Sequence, residues 1–196
     1  LCLLQIERPR EEKLKRYIRF IEETERLKSV VRSARTSTGR RESTAEHSWR
    51  LALLALVLRD EYPALDAGRV LDMCLVHDLG EAYDGDLPAV ERPDPALKAS
   101  TERRALIRLA SLLPEQAARR IAALWEEYET GLTPEARFVK ALDKAETILQ
   151  HNQGANPADF DYAFNLGYGA AWFADDPLLR TLRRLLDAET ARHIER

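Results

Sequence analysis

Cysteine and long apolar runs are scarce in this sequence, and each scarcity excludes a class of protein. The 196 residues include only two cysteines, Cys2 and Cys74, one near the N-terminus and one in a predicted core helix, so a disulfide framework is excluded. We therefore expect a reducing compartment and a cytoplasmic protein. No apolar stretch approaches the roughly 20 residues that a membrane-spanning helix needs, and residues 1–4 are too short for a signal sequence. A membrane is not an expected partner.

An excess of charge of one sign is also lacking. The formal net charge is −3, with 30 basic and 33 acidic residues mixed along the chain. Such a balance predicts no binding surface for duplex nucleic acid. Hydrophobic residues, by contrast, make up 45% of the chain, which is enough for a sizeable core. Glycine is scarce while Ala, Leu, Glu and Arg abound, and this composition favours helix.

Apolar residues recur at helical spacing along most of the chain. The predicted helices cover 11–29, Ser43 or Thr44 to about Tyr62, Asp66 to His77-Asp78, 97–112, Pro114 to about Thr130, the segment after Thr133-Pro134, and the segment after Asp176-Pro177. Residues 33–43 and 84–96 are predicted loops, and 154–177 are predicted to form short helices and loops. Since no segment convincingly predicts a strand, we expect an all-α fold in a single domain over residues 1–196.

The His77-Asp78 pair ends a helix whose preceding residues, 70–76, are mostly apolar. That helix should be buried, and an unpaired buried charge costs several kcal/mol. Pairing of Asp78 with an arginine is the commoner explanation for an isolated His-Asp pair. Glu81 and Asp86 follow within ten residues, however, and so many acids close together require a cation or a basic ligand.

Two further residues could complete a metal site. His47 lies on the first turn of its helix, where a lone histidine is more often a core or capping residue. Asp143 lies beside the apolar stripe of its helix, where either an arginine or a metal would balance it. With His77 and Asp78 they form a set that suits Mn²⁺, Fe²⁺, Co²⁺, Ni²⁺ or Zn²⁺ better than Ca²⁺. Four protein ligands leave positions open, which is the catalytic arrangement, but spacing alone does not bring the four together.

The other polar residues that stand out are given plainer interpretations. His151 and His193 lack comparable acidic neighbours, so we expect surface or structural roles for them. Lys144 is expected to point to solvent, as a lysine beside a core aspartate usually does. Arg35, Arg40 and Arg41 are expected to form a solvated basic loop, although one of them could touch a substrate; these three arginines lie in the predicted loop at 33–43.

The order His47, His77-Asp78, Asp143 resembles the HD-domain superfamily of metal-dependent phosphohydrolases. One branch is especially similar: the bacterial 5′-deoxynucleotidases and the eukaryotic HD domain-containing protein 2. The segments that carry the resemblance are AEHSWR (45–50), HDLGE (77–81), GDLP (85–88), LWEEYE (124–129), FVK (138–140) and LDKAE (142–146). It covers roughly residues 14–155.

The resemblance implies a helical bundle with a metal site in the core cleft, an HD core at about 14–155 and a C-terminal helical extension at 156–196. It implies a homodimer that hydrolyses (deoxy)nucleoside 5′-monophosphates to nucleoside and phosphate. A divalent metal ion (Mn, Co, Fe, Ni, Zn or Mg) would be held by His47, His77, Asp78 and Asp143.

The resemblance also implies roles for three residues around that metal. Glu81 would orient or deprotonate the attacking water. Asp86 would serve proton transfer, sugar contact or a second cation. Arg32, which follows an Arg-Leu-Lys segment, would hold the phosphate through a bidentate fork. The alternative for Lys144, if it does not point to solvent, is that it also reaches the phosphate. Ser33 is a departure, because some bacterial members carry tryptophan there, so packing against the base or sugar is expected to differ.

Two rival functions remain. The first is another HD-type enzyme, namely a phosphodiesterase or a nucleotide triphosphohydrolase. A two-metal phosphodiesterase would need more histidines between the HD motif and Asp143, and residues 79–142 contain none. The second rival is a non-catalytic nucleotide-binding HD protein. The presence of every expected histidine and acidic residue argues against it.

Overall fold

The structure, a computed structural model, describes residues 2–86, 89–91 and 94–195. Within these residues the prediction of an all-α fold is confirmed. The α-helices are α1 (Cys2–Thr24), α2 (Thr44–Leu58), α3 (Ala67–Val76), α4 (Pro95–Ala110), α5 (Glu115–Thr130), α6 (Pro134–Gln153), α7 (Ala163–Gly167) and α8 (Pro177–Ile194). None of these helices combines the length and apolarity that a bilayer crossing requires.

The helix starts follow the capping signals in the sequence. Ser43 and Glu46 form both halves of a capping box at the start of α2, so two backbone N–H groups that lack helical partners are satisfied. Thr133 accepts a hydrogen bond from the backbone N–H of Ala136, and proline occupies the first turn of α6. These caps fix where α2 and α6 begin, and therefore which of their residues face the interior.

A short two-stranded ribbon replaces part of the predicted loop at 33–43. Strands β1 (Val31–Arg35) and β2 (Arg41–Ser43) pair antiparallel. Gly39 closes the turn between them with a φ of +85°, a conformation that glycine adopts without strain. The loop prediction was wrong here because tertiary packing, not apolar alternation, stabilises β1. The side chain of Gln150 on α6 donates to the backbone carbonyl of Arg35 at 2.7 Å.

Helix α6 lies at the centre of the molecule. It packs against α2, α3, α5, α8 and β1, and Val139, Leu142 and Ile148 on it are fully buried. Its C-terminal end is tied to α8, since Asn152 donates to the backbone carbonyl of Leu186 at 3.1 Å. The predicted limits of the HD core and of the C-terminal extension stay predictions.

Candidate active site

Three helices bring the four predicted metal ligands together. His47 lies on the first turn of α2, His77 and Asp78 directly follow α3, and Asp143 lies in the middle of α6. His47 Nε2 is 3.0 Å from Asp143 Oδ1 and 3.9 Å from Asp78 Oδ2. His77 Nε2 is 3.1 Å from Asp78 Oδ2. The ligand atoms of His47, His77 and Asp78 lie within 4.8 Å of one another, and Asp143 joins this cluster through its contact with His47, 96 positions away in the chain.

Both imidazoles are oriented through their Nδ1 atoms. His77 Nδ1 donates to the backbone carbonyl of Cys74 at 3.0 Å, and His47 Nδ1 donates to Glu146 Oε2 at 2.5 Å. Carbonyl and carboxylate oxygens can only accept, so these contacts place the proton on Nδ1 and turn Nε2 toward the cluster. Histidines that bind metals usually have such a partner on the other nitrogen.

The donor set fits a divalent cation. His77 Nε2 and Asp78 Oδ2 are both buried and have no hydrogen-bond partner, although they lie close together. Two acceptor atoms in this position are stabilised by a positive charge between them. Burial and Arg32 lower the pKa of His47, but its hydrogen bonds to Asp143 and Glu146 prevail and raise the pKa to about 10. The surrounding carboxylates therefore favour positive charge at this point.

Asp143 is held by two donors on its second oxygen. Tyr128 Oη donates to Asp143 Oδ2 at 2.7 Å, and Lys144 Nζ donates to the same atom at 2.8 Å. The expectation that Lys144 points to solvent was wrong, because its side chain is only 23% exposed and its ammonium lies 5.1 Å from the centre of the Tyr168 ring. Burial raises the pKa of Asp143, but Lys144 and then His47 hold it well below the usual range.

Arg32 reaches the cluster from β1. Its Nη1 lies 3.6 Å from Asp78 Oδ2, and its Nη2 donates to Thr147 Oγ1 at 3.1 Å. Its Nε lies 3.5 Å from Glu42 Oε2. The arginine that was considered as a plain structural partner for Asp78 is thus the same residue that was expected to bind phosphate.

Glu81 lies one turn beyond the His-Asp pair, in the 3-10 turn Leu79–Glu81. It is buried and accepts a hydrogen bond from Thr44 Oγ1 at 3.0 Å. Burial, with the nearby charges of Asp78 and Asp86, raises the pKa of the Glu81 carboxyl well above its usual value. The turn packs tightly against α4, since a Cβ on Gly80 would come within 2.8 Å of the Glu102 side chain. Glycine there lets the turn hold Glu81 beside the cluster.

A cavity of about 650 Å³ opens beside this cluster, a size typical of small-molecule sites. Arg32, Ser33, Glu81 and Asp86 all line it together with His77, Asp78 and Asp143, whereas His47 lies behind its wall. Of the predicted basic loop, Arg35 and Arg41 line the cavity, while Arg40 pairs with Glu46 at the surface. Leu87 and Pro88 of the GDLP segment lie outside the described residues.

The two remaining histidines lie in different places relative to the cavity. His151 is buried, lines the cavity and contacts Asn165 Oδ1 through Nδ1 at 2.8 Å. His193 stacks on the Tyr162 ring, with centroids 4.6 Å apart, away from the cavity. The surface or structural roles expected of both histidines stay predictions, and His151, unlike His193, lies at the cavity.

Sequence reasoning assigned no role to Glu146 or Tyr128. Glu146 comes three residues after Asp143 on one helix, so helical spacing alone places both on the same face and could have revealed it. Tyr128 carries no comparable signal, because its contact with Asp143 depends on how α5 packs against α6.

Comparisons with known proteins agree with this geometry. A family model described as HD domain matches residues 24–172. The chain is 36% identical over 138 residues to the 5′-deoxynucleotidase HDDC2 of Mus musculus, covering 69% of this chain and 68% of that protein. It is 40% identical over 112 residues to the Bos taurus protein of the same name, covering 57% of this chain and 54% of the relative. The chain thus spans between about half and two thirds of these relatives.

A solved structure is similar over almost the whole chain. It is the crystal structure of a predicted metal-dependent phosphohydrolase from Magnetospirillum magnetotacticum MS-1, with a TM-score of 0.80 and 32% sequence identity. The superposition covers 92% of this chain and 96% of that one. The similarity therefore covers a larger share of the chain than the segment that the family model matches.

Proposed function

The chain belongs to the HD domain family, and from that premise we propose that it is a metal-dependent 5′-nucleotidase. Its substrates would be (deoxy)nucleoside 5′-monophosphates, hydrolysed to nucleoside and phosphate. The observation that carries the proposal is the pair of buried acceptors, His77 Nε2 and Asp78 Oδ2, which lack partners at the wall of a nucleotide-sized cavity. The names of the similar curated proteins support the same reaction.

We propose that His47, His77, Asp78 and Asp143 hold the metal. Two imidazoles and two carboxylates suit a divalent transition metal, and each imidazole already donates its other N–H to a protein oxygen. A divalent cation in such a site lowers the pKa of water and neutralises phosphate charge. Which divalent ion occupies the site is a question of metal availability as much as of ligand chemistry.

Arg32 would bind the phosphate. Its guanidinium lies beside Asp78 on the cavity wall, and its fork can hold two phosphate oxygens at once. Hydrolysis of a phosphate ester depends mainly on positioning and charge neutralisation, so this contact contributes directly to the rate. The hydrogen bond to Thr147 fixes the direction of the fork.

Glu81 would orient the attacking water and accept its proton. It lines the cavity, and its hydrogen bond from Thr44 leaves the other carboxylate oxygen for water. Asp86 lines the same cavity and would serve proton transfer, sugar contact or a second cation.

A phosphate-release assay tests the proposal. The purified chain is incubated with Mn²⁺ or Co²⁺ and a panel of ribo- and deoxyribonucleoside 5′-monophosphates, with nucleoside triphosphates and cyclic nucleotides as comparisons. We expect phosphate from monophosphates only, and loss of activity when EDTA is added. Because hydrolysis of a cyclic nucleotide or of a triphosphate need not free phosphate, their products are followed by chromatography. Absence of phosphate release from every monophosphate, or conversion of triphosphates or cyclic nucleotides alone, would refute the proposal.

We also propose that the protein is a cytoplasmic homodimer. An exposed apolar stripe on α2, comprising Trp49, Leu53, Leu56 and Val57, supports a surface between two copies. Light scattering after gel filtration should give twice the mass of the chain. A monomer at micromolar concentration would contradict this part of the proposal.

A further inference from the structure

We propose that Phe160, Phe164 and Tyr168 form an aromatic wall that stacks on the nucleobase and makes this cavity selective for phosphates that carry one. The proposal rests on the proposed function, because it names the part of the same cavity that would bind the base. All three side chains line the cavity and are only partly buried.

Positions along helix α6 locate the two ends of the cavity. Asp143, Thr147 and His151 are spaced four residues apart on one face, and all three line the cavity. With a rise of 1.5 Å per residue, Thr147 lies ~6 Å and His151 ~12 Å along the helix from Asp143. Arg32, the proposed phosphate-binding residue, donates a hydrogen bond to Thr147. The phosphate would therefore lie beside the turn of α6 between Asp143 and Thr147. The sugar and the base would then lie beside the next turn, toward His151.

The aromatic wall runs beside this same stretch of α6. The Phe160 ring packs against His151, with centroids 5.0 Å apart. At the other end of the wall, the centre of the Tyr168 ring lies 5.1 Å from Lys144 Nζ, which donates a hydrogen bond to Asp143. Phe164 lies between them in sequence, and its ring centroid is 5.2 Å from that of Tyr168. The wall therefore extends from the phosphate end to the far turn.

These rings differ from the aromatic residues of the core. Phe173, a few residues further along, is 2% exposed and packs within the hydrophobic core. Phe160, Phe164 and Tyr168 instead leave apolar ring surface at a cavity whose other walls are largely charged. A flat aromatic base can cover such a surface, and stacking of this kind tolerates different bases.

The test compares a substrate with a base and one without. Wild type, Phe160→Ala and Phe164→Ala are assayed with dAMP and with 2-deoxyribose 5-phosphate. We expect each variant to raise the KM for dAMP about tenfold, which corresponds to one lost stacking contact, with little change in kcat. The KM for 2-deoxyribose 5-phosphate should not move, and Phe164→Tyr should restore the wild-type KM for dAMP.

Leu166→Ala is the matched control. Leu166 lies on α7 two residues after Phe164, is 44% exposed and is not among the residues that line the cavity. An unchanged KM for dAMP in both Phe→Ala variants, or an equal rise in Leu166→Ala, would refute the aromatic wall without refuting the nucleotidase activity. If wild type hydrolyses neither substrate, the proposed function itself fails and the wall fails with it.

Discussion

Two pairs of carboxylates lie near His47, and they differ in their access to the cavity. The cavity-side pair, Asp78 and Asp143, faces Nε2. In the rear pair, Glu42 and Glu146, it is Glu146 that contacts Nδ1. By distance alone, both sides could hold a metal, since Glu42, His47 and Glu146 lie as close together as His47, His77 and Asp78. Only the cavity-side pair lines the cavity.

Both pairs have cations beside them. Arg50 Nε lies 3.2 Å from Glu146 and Arg32 Nε lies 3.5 Å from Glu42. On the cavity side, Lys144 Nζ lies 2.8 Å from Asp143 and Arg32 Nη1 lies 3.6 Å from Asp78. Glu146 also accepts a hydrogen bond from the Nδ1–H group of His47, so this nitrogen has no free lone pair for a metal. The same residue types thus have different surroundings on the two sides: Glu146 orients the imidazole, and Asp78 and Asp143 line the cavity. Proximity of acids is therefore a weaker criterion for a metal site than access to the cavity.

The largest effect is expected from Asp78→Ala on the cavity side. Removing this carboxylate takes away a proposed ligand that has no protein substitute, so metal binding and phosphate release should be lost together. Metal content by mass spectrometry and turnover with a monophosphate provide the readout. Full metal content with normal turnover would remove Asp78 from the site.

Glu81→Ala should separate catalysis from metal binding on the same side. Glu81 lines the cavity but is not a proposed ligand, so metal and nucleotide should still bind. The turnover number should fall ~10²–10⁴-fold, as for loss of a general base. An unchanged kcat would show that another group handles the proton of the water.

Glu146→Gln probes the rear pair. Glutamine keeps the hydrogen bond to His47 Nδ1 but removes the charge, so metal affinity should fall ~10–100-fold, as is typical of partners behind a ligand. Competition with a chelator measures the metal affinity of the variant and of the wild type. Glu126→Gln, which changes a surface glutamate paired with Arg103, is the control and should leave metal affinity unchanged.

Glu42→Gln should have the smallest effect on the metal but should change the pH dependence of stability. Burial, followed by the charge of Glu146, raises the pKa of Glu42 to about 7. Because the folded protein binds this proton more tightly than the unfolded chain, stability should fall as pH rises from the usual carboxyl value through about 7. In the presence of EDTA, the melting temperature of Glu42→Gln should fall less steeply with rising pH than that of the wild type. Equal slopes of melting temperature against pH in the two proteins would argue against a buried, protonated Glu42.

The sequence predicted the helices well because their signals are local. Caps such as Ser43 with Glu46, or Thr133 with Pro134, act within one turn, and apolar spacing identifies the buried face. The ribbon β1–β2 was missed because its stability comes from α6, more than a hundred residues further on. Lys144 was misplaced for a related reason, since its ammonium contacts both Asp143 and the ring of Tyr168, which lies more than twenty residues further along the chain.

By itself, the sequence determined the all-α class and, with the family resemblance, predicted His47, His77, Asp78 and Asp143 as metal ligands. Ligand types and helical spacing are properties of the chain. Only the tertiary structure decided that His47 contacts Asp143 and lies near His77 and Asp78, that Glu146 orients His47 and Tyr128 holds Asp143, and that three partly buried aromatic side chains line the same cavity as Asp78 and Asp143. Those relations depend on how α2, α3, α5 and α6 pack, and packing joins residues about a hundred positions apart without leaving a local pattern.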